Sequence, residues 1–321
     1  MAKKLLAAAV VLAAAACAGF YVVTMPQPIA AAALPAHEPD VANGERLFLA
    51  GSCASCHAAP KAEGEAKLVL SGGLELDTDF GLFRVPNISS DPDAGIGSWS
   101  DIDFVNAMKR GLSPSGAHLY PAFPYTSYAK MRLADLLDLK AYLDTLPASS
   151  NRVAGHDLSF PYSLRRGIGL WKRLYLSEDP VIAVDENDAE LMRGRYLVEG
   201  PGHCAQCHTP RDAFGGLETD RWLSGAPNPE GKGRIPNITP SDDGIGSWSL
   251  SDLTYYFESG FTPDFDSVGG PMVPVQENLA KLPPEDRAAI AAYLKAVPPL
   301  GDASDGGNSG GGNGGADNTG G

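Results

Sequence analysis

Apolar positions are nearly unbroken from Leu5 to Val23, directly behind Lys3 and Lys4. A basic start followed by an apolar segment is the pattern of an export signal or a membrane anchor. The run exceeds the roughly 7–15 residues of an ordinary signal core and approaches the ~20 that span a bilayer. Residues 1–36 therefore read as a signal peptide or membrane anchor with its linker. Three outcomes fit: retention as a single anchor, cleavage near Ala31 to Ala33, where a small-x-small pattern occurs, or lipidation of Cys17 behind Ala14, Ala15 and Ala16. Retention is favoured, and each outcome puts the folded part outside the cytoplasm.

Further along, apolar residues recur in short stretches at helical spacing. Ile102, Val105 and Met108 share one face, behind Ser100 as a cap with Asp101 and Asp103 in the first turn. Ser249-Leu250-Ser251-Asp252 opens a second helix in the same way. Leu136 to Leu143 and Ala288 to Leu294 predict two more helices, stopped by Pro147 and Pro298. The Gly- and Pro-rich loops between them show little strand alternation, so the pattern predicts an all-α chain. From Gly301 to Gly321 almost nothing is apolar, and this tail is expected to be disordered.

The helical pattern is written twice. Gly44 to Ala50 (GERLFLA) parallels Gly194 to Gly200 (GRYLVEG), and Arg84-Val85-Pro86-Asn87-Ile88 parallels Arg234-Ile235-Pro236-Asn237-Ile238. Gly95 to Ser100 recurs unchanged as Gly244 to Ser249. The offset stays between 149 and 151 residues, which implies an internal duplication. The boundaries that follow are a first domain at 37–148, a linker at 149–188, a second domain at 189–300 and the tail at 301–321. Within the linker Leu164, Ile168, Trp171 and Tyr175 fall on one helical face beside Arg165, Arg166, Lys172 and Arg173. Such a helix would pack between the domains or contact anionic lipid or a partner.

Each repeat carries one C-x-x-C-H motif, Cys53 to His57 and Cys204 to His208. Two thiols one helical turn apart can each form a thioether with a haem vinyl group, and the adjoining imidazole can bind the iron. The alternatives are a redox dithiol and half of a zinc site. A dithiol does not need the histidine, and a zinc site would have to bring the two motifs together. The chain thus implies two covalently bound haem c groups, held by Cys53, Cys56, Cys204 and Cys207, with His57 and His208 as iron ligands.

With 25 Lys and Arg against 39 Asp and Glu, the formal net charge is −14. A chain this acidic is a poor nucleic-acid binder; its charge serves solubility or docking to a basic partner. No glycine-rich nucleotide fingerprint or catalytic triad is present.

The residues also carry a family resemblance. Val85 to Ile88, Gly95 to Ser100 and His118-Leu119-Tyr120-Pro121-Ala122-Phe123-Pro124-Tyr125, with Gly202 to Arg211, resemble the cytochrome c subunits of membrane-bound bacterial dehydrogenases of the alcohol and gluconate type. The resemblance covers about residues 40–300 and departs in two ways: three haems there against two motifs and a disordered tail here, and a phenylalanine at position 123. It implies two tandem class I cytochrome c domains with long haem-enclosing loops. It also implies an electron carrier on the periplasmic side of the cytoplasmic membrane. Such a carrier takes electrons from a periplasmic dehydrogenase and passes them to a quinone, another cytochrome or an oxidase. The alternative is a dihaem redox enzyme of the thiosulfate dehydrogenase or peroxidase type.

Around the haems, the resemblance marks Met272, in a Gly-Gly-Pro-Met loop, as the sixth ligand of the second; the alternative is a core methionine filling a gap. Arg84 and Arg234 suit haem propionates, or are solvated surface arginines. Trp99 and Trp248 either donate their indole N–H to a propionate or are core packing. In the first repeat Phe123 stands 24 residues after Trp99, as Met272 stands 24 after Trp248. The expected order of candidates there is Met131, then His118, then an open position, with Met108 last.

Overall fold

The computed structural model describes residues 1–228 and 233–301. The tail expected to be disordered lies, beyond Gly301, outside the described residues. The apolar N-terminal run forms helix α1 (Ala2–Val23), long and apolar enough to cross a bilayer and with none of its residues buried. The first half then builds α2 (Val41–Ala50), α3 (Cys53–His57), α4 (Asp101–Arg110), α5 (Tyr125–Tyr128) and α6 (Leu133–Thr145). Helix α7 (Ile168–Tyr175) follows. The second half repeats the order with α8 (Ala189–Glu199), α9 (Ala205–His208), α10 (Leu250–Ser259), α11 (Met272–Leu279) and α12 (Pro284–Ala296).

The first and last helices of each half cross at a glycine. A Cβ on Gly44 in α2 would collide with the Asp138 carbonyl of α6 and lie 2.7 Å from the Tyr142 Cβ. A Cβ on Gly194 in α8 would collide with the Ala289 carbonyl of α12 and lie 2.7 Å from the Tyr293 Cβ. Only a residue without a side chain permits so close an approach of the two backbones. One apolar cluster forms around the first crossing, with Leu47, Val105 and Leu136, and another around the second, with Leu197, Leu253 and Tyr293. Leu47 and Leu136 are at most 1% exposed, and each such burial contributes about 2 kcal/mol relative to exposure.

Local signals place the helices that frame these clusters. Ser100 and Asp103 form a reciprocal capping box on α4, and Ser249 and Asp252 form another on α10. Both helices end in a left-handed glycine, Gly111 (φ 55°) and Gly260 (φ 78°). The loops do contain strand, contrary to the sequence pattern. β1 (Glu75–Thr78) pairs antiparallel with β2 (Gly81–Arg84), and β2 pairs with β3 (Asp157–Leu158) from the linker. β4 (Ala226–Pro227) and β5 (Arg234–Ile235) pair in the second half. These strands are two to four residues long, too short for alternation to register.

The halves touch reciprocally. Tyr196 of α8 donates to Asp135 at the start of α6, while Arg46 of α2 lies 3.8 Å from Asp286 at the start of α12. Gln206, inside the second C-x-x-C-H motif, donates to Ser127 of α5 at 2.9 Å. Asn278 of α11 reaches Ser52, the residue before the first motif, at 3.4 Å. Each half therefore sets its penultimate short helix against the other's attachment loop.

The predicted linker face is only partly covered: Ile168, Trp171 and Tyr175 are half-buried, whereas Leu164 is exposed. Instead α7 sits against the end of α1. Thr24 is fully buried; its carbonyl accepts from His118 (2.9 Å) and its hydroxyl accepts from Arg166 (2.9 Å). Arg166 also donates to the Tyr21 carbonyl at 2.8 Å and lies over that ring. The free carbonyls at a helix C-terminus are natural acceptors for such cations.

Candidate functional site

Each C-x-x-C-H motif folds as a short helical turn that begins from a left-handed residue, Ser52 (φ 46°) or the equivalent His203 (φ 38°). The turn puts the first cysteine of each pair inward, half-buried, and leaves the second exposed. All four thiols are unbridged. Burial, reinforced by the neighbouring Cys56, pushes the Cys53 thiol up to about 12, and burial with Cys207 does the same to Cys204. A redox dithiol works through a lowered thiol, which the raised Cys53 and Cys204 do not supply.

The histidines are held identically. His57 Nδ1 lies 2.9 Å from the Pro86 carbonyl, and His208 Nδ1 lies 2.7 Å from the Pro236 carbonyl. A carbonyl can only accept, so Nδ1 carries the proton and Nε2 keeps its lone pair. Burial holds both imidazoles below the ordinary histidine value, against the opposing pull of those carbonyls, which keeps them neutral. The backbone carbonyl of each histidine is also bound, by the Gly72 N–H at 2.7 Å and the Gly225 N–H at 2.8 Å. Gly72 (φ 68°) presses on the Pro86 carbonyl so closely that an added Cβ would be 2.6 Å away. The glycine loop, the Pro-Asn-Ile loop and the attachment turn thus lock together in each half. This outer hydrogen bond is the one that orients a metal-bound imidazole. Two thiols, one neutral imidazole with a free Nε2 and a fixed ring form a donor set that fits covalent haem.

The remaining predicted residues fall into place less uniformly. Met272 opens α11 and is half-buried. Trp99 and Trp248 pack at the edges of their clusters, Trp248 with its ring 5.5 Å from Tyr256. Arg84 is engaged by Glu75 on the paired strand (2.8 Å) and by the Gly155 carbonyl (2.6 Å). Arg234 lies exposed on β5. Met131 is 1% exposed within the first cluster, and Lys109 donates to its carbonyl at 2.9 Å.

Two features had no signal in the sequence. His203 Nε2 lies 3.1 Å from the Gly51 carbonyl, joining the two attachment loops. Glu199, 2% exposed, accepts from the Val181 and Ile182 amides and from the Tyr293 hydroxyl (2.7 Å), so a buried carboxylate ties the linker to the second crossing.

The family described as cytochrome c matches residues 41–147. Among similar proteins is "Diheme cytochrome c-type" of Cereibacter sphaeroides, 55% identical over 261 residues, covering 81% of this chain and 87% of that protein. The fructose dehydrogenase cytochrome subunit of Gluconobacter japonicus is 34% identical over 85% of this chain and 55% of its own length. The cytochrome c subunit of the quinone alcohol dehydrogenase of Gluconobacter oxydans is 33% identical over 84% of this chain and 57% of its own length. The chain therefore spans little more than half of those two subunits.

Proposed function

Because this chain belongs to the cytochrome c family, we propose that it is a membrane-anchored dihaem electron carrier, made of two tandem cytochrome domains that arose by duplication. The observation that carries this reading is the repeated histidine cradle, His57 on Pro86 and His208 on Pro236. When bound, each haem supplies a one-electron Fe(III)/Fe(II) couple. The chain's own residues do the rest. Cys53 and Cys56, and Cys204 and Cys207, tether the two groups. His57 and His208 present Nε2 to the metal in a fixed orientation. Met272 offers a thioether, a soft donor that favours the reduced state and raises the potential. Trp99 and Trp248 would pack beside the groups, and Arg84 and Arg234 are the candidate propionate partners.

The electron donor is a periplasmic dehydrogenase, and the acceptor a quinone, another cytochrome or an oxidase. The names of the fructose and alcohol dehydrogenase subunits support the donor and favour a carrier over a dihaem enzyme. The folded part stands on the periplasmic side, since haem is attached to bacterial c-type cytochromes outside the cytoplasm. Retention of α1 is supported by its last turn: cleavage near Ala31 would remove Thr24 and leave His118 and Arg166 without their partners. A buried polar group stripped of its partner costs about 1–3 kcal/mol.

A redox titration of the full chain in detergent tests the assignment. Two one-electron equivalents per chain are expected, with spectra of c-type haem at both steps. A single equivalent contradicts a dihaem carrier.

A further inference from the structure

Helix α7 has two unlike faces. Inward, a Cβ on Gly169 would lie 2.7 Å from the Thr24 carbonyl, and Lys172 donates to the Arg110 and Gly111 carbonyls at 2.6 Å each. Trp171 meets the Tyr125 ring of the first half edge-on, while Tyr175 donates to Asp212 of the second half at 2.6 Å. The helix is thus fastened to both halves. Outward, Leu170 and Leu174 are 47% and 69% exposed. They stand one turn apart on one face, with exposed Arg173 beside them and Arg166 one turn earlier.

A lone exposed leucine is ordinary; this pair stands at the end of α1. Arg166 donates to the Tyr21 carbonyl at 2.8 Å and Arg173 Nε to the Val23 carbonyl at 3.3 Å, so the last turn of α1 holds this segment at two points. The 22 residues of α1, at 1.5 Å rise each, make it about 33 Å long, against a hydrocarbon core of roughly 30 Å. A bilayer spanned by α1 therefore ends near Tyr21 to Val23, the turn that carries α7. Tyr21, 59% exposed, is the kind of aromatic residue that sits at that level. An apolar groove of about 420 Å³, lined by Ala16, Cys17, Phe20, Tyr21 and Arg166, sets that guanidinium beside the apolar surface of α1. The charge agrees. No acidic residue occurs between Asp157 and Glu178, whereas Arg165, Arg166, Lys172 and Arg173 do, in a chain of net charge −14. Lys172 is turned inward and Arg165 donates to the His118 carbonyl, so Arg166 and Arg173 are the pair at the outer rim.

We propose that α7 lies in the periplasmic interface of the bilayer, with Leu170 and Leu174 sunk among the lipid chains and Arg166 and Arg173 on the phosphates of anionic phospholipid. The proposal rests on the reading of α1 as a retained anchor. A bilayer, rather than a protein, fits this face, because the lipid that surrounds the last turn of α1 already adjoins it. Guanidinium groups suit phosphate oxygens, and apolar side chains flanked by cations are the pattern of a helix lying in the interface. Since α7 is fastened to both halves, this contact sets both attachment motifs at a fixed height and tilt over the membrane.

Nitroxide accessibility of the full-length, haem-loaded chain in nanodiscs of phosphatidylcholine and phosphatidylglycerol is the test. One sample carries the label on Cys17 itself, and a second carries it on Leu174→Cys in a Cys17→Ser background. At both sites collisions with dissolved oxygen should exceed those with a water-soluble nickel chelate several-fold. In nanodiscs of phosphatidylcholine alone the Leu174→Cys label should meet the chelate several-fold more often, while the Cys17 label should not change. A Leu174→Cys label open to the chelate while the Cys17 label is shielded overturns the proposal, and is the result expected of a face that waits for a protein partner. Equal shielding of Leu174→Cys in the two lipids overturns it too, since anionic headgroups would then contribute nothing. A Cys17 label open to the chelate overturns the anchor reading instead.

Discussion

His203 Nε2 lies 3.1 Å from the carbonyl of Gly51, and this contact joins the loop that begins one attachment motif to the loop that begins the other. Around it, a Cβ on Gly51 would lie 3.2 Å from the Pro201 carbonyl and 3.4 Å from the Cys53 sulfur. The two motifs are thus packed against each other, with Gln206 and Asn278 as flanking ties. Electron exchange between the haems is expected to be intramolecular. After partial photoreduction, redistribution between them should proceed at a rate independent of protein concentration. A rate that scales with concentration would mean that exchange occurs between molecules.

Met272→Ala removes the thioether expected at the second haem. The weak far-red band of iron–methionine sulfur ligation should disappear and the potential of one haem should fall. The other haem should keep its spectrum. Unchanged spectra and potentials would remove Met272 from the site.

Gly44→Ala and Gly194→Ala each force a methyl group into a backbone carbonyl at a helix crossing. Overpacking of this kind costs about 1–3 kcal/mol, and more where backbone must yield. Either variant should unfold at lower temperature than the parent. Gly155→Ala, with nothing within 4 Å of the new Cβ, should not. Parental melting in the two crossing variants would show that the helices can separate without cost.

The anchor predicts that the full-length protein sediments with membranes and leaves only with detergent. A chain starting at His37 should be soluble and haem-loaded, yet less stable than one starting at Thr24. The shorter chain loses Thr24 and also Ile29 and Leu34, which pack on the first cluster. Release of the full-length protein by salt alone would contradict the anchor.

What could be read from the sequence was local or repeated. The capping boxes at Ser100 and Ser249 need only four consecutive residues, and both form. The C-x-x-C-H spacing specifies its own turn. The contacts that pair distant residues left no such mark. Glu75 engages Arg84 only because two short strands meet, and Thr24 meets His118 across 94 residues. Sequence gives the distance of Met131 from the last helix but not its burial, 1% exposed within the first cluster.

The central claim is that each half holds its own haem through two thioethers. Mass measurement of the denatured full-length protein tests it most directly, because thioether-bound haem survives unfolding while haem held by iron ligation alone is lost. The account predicts a mass equal to the polypeptide plus two haem groups, falling to one in Cys53→Ala/Cys56→Ala and to one in Cys204→Ala/Cys207→Ala. A parent carrying a single haem, or none, would contradict it.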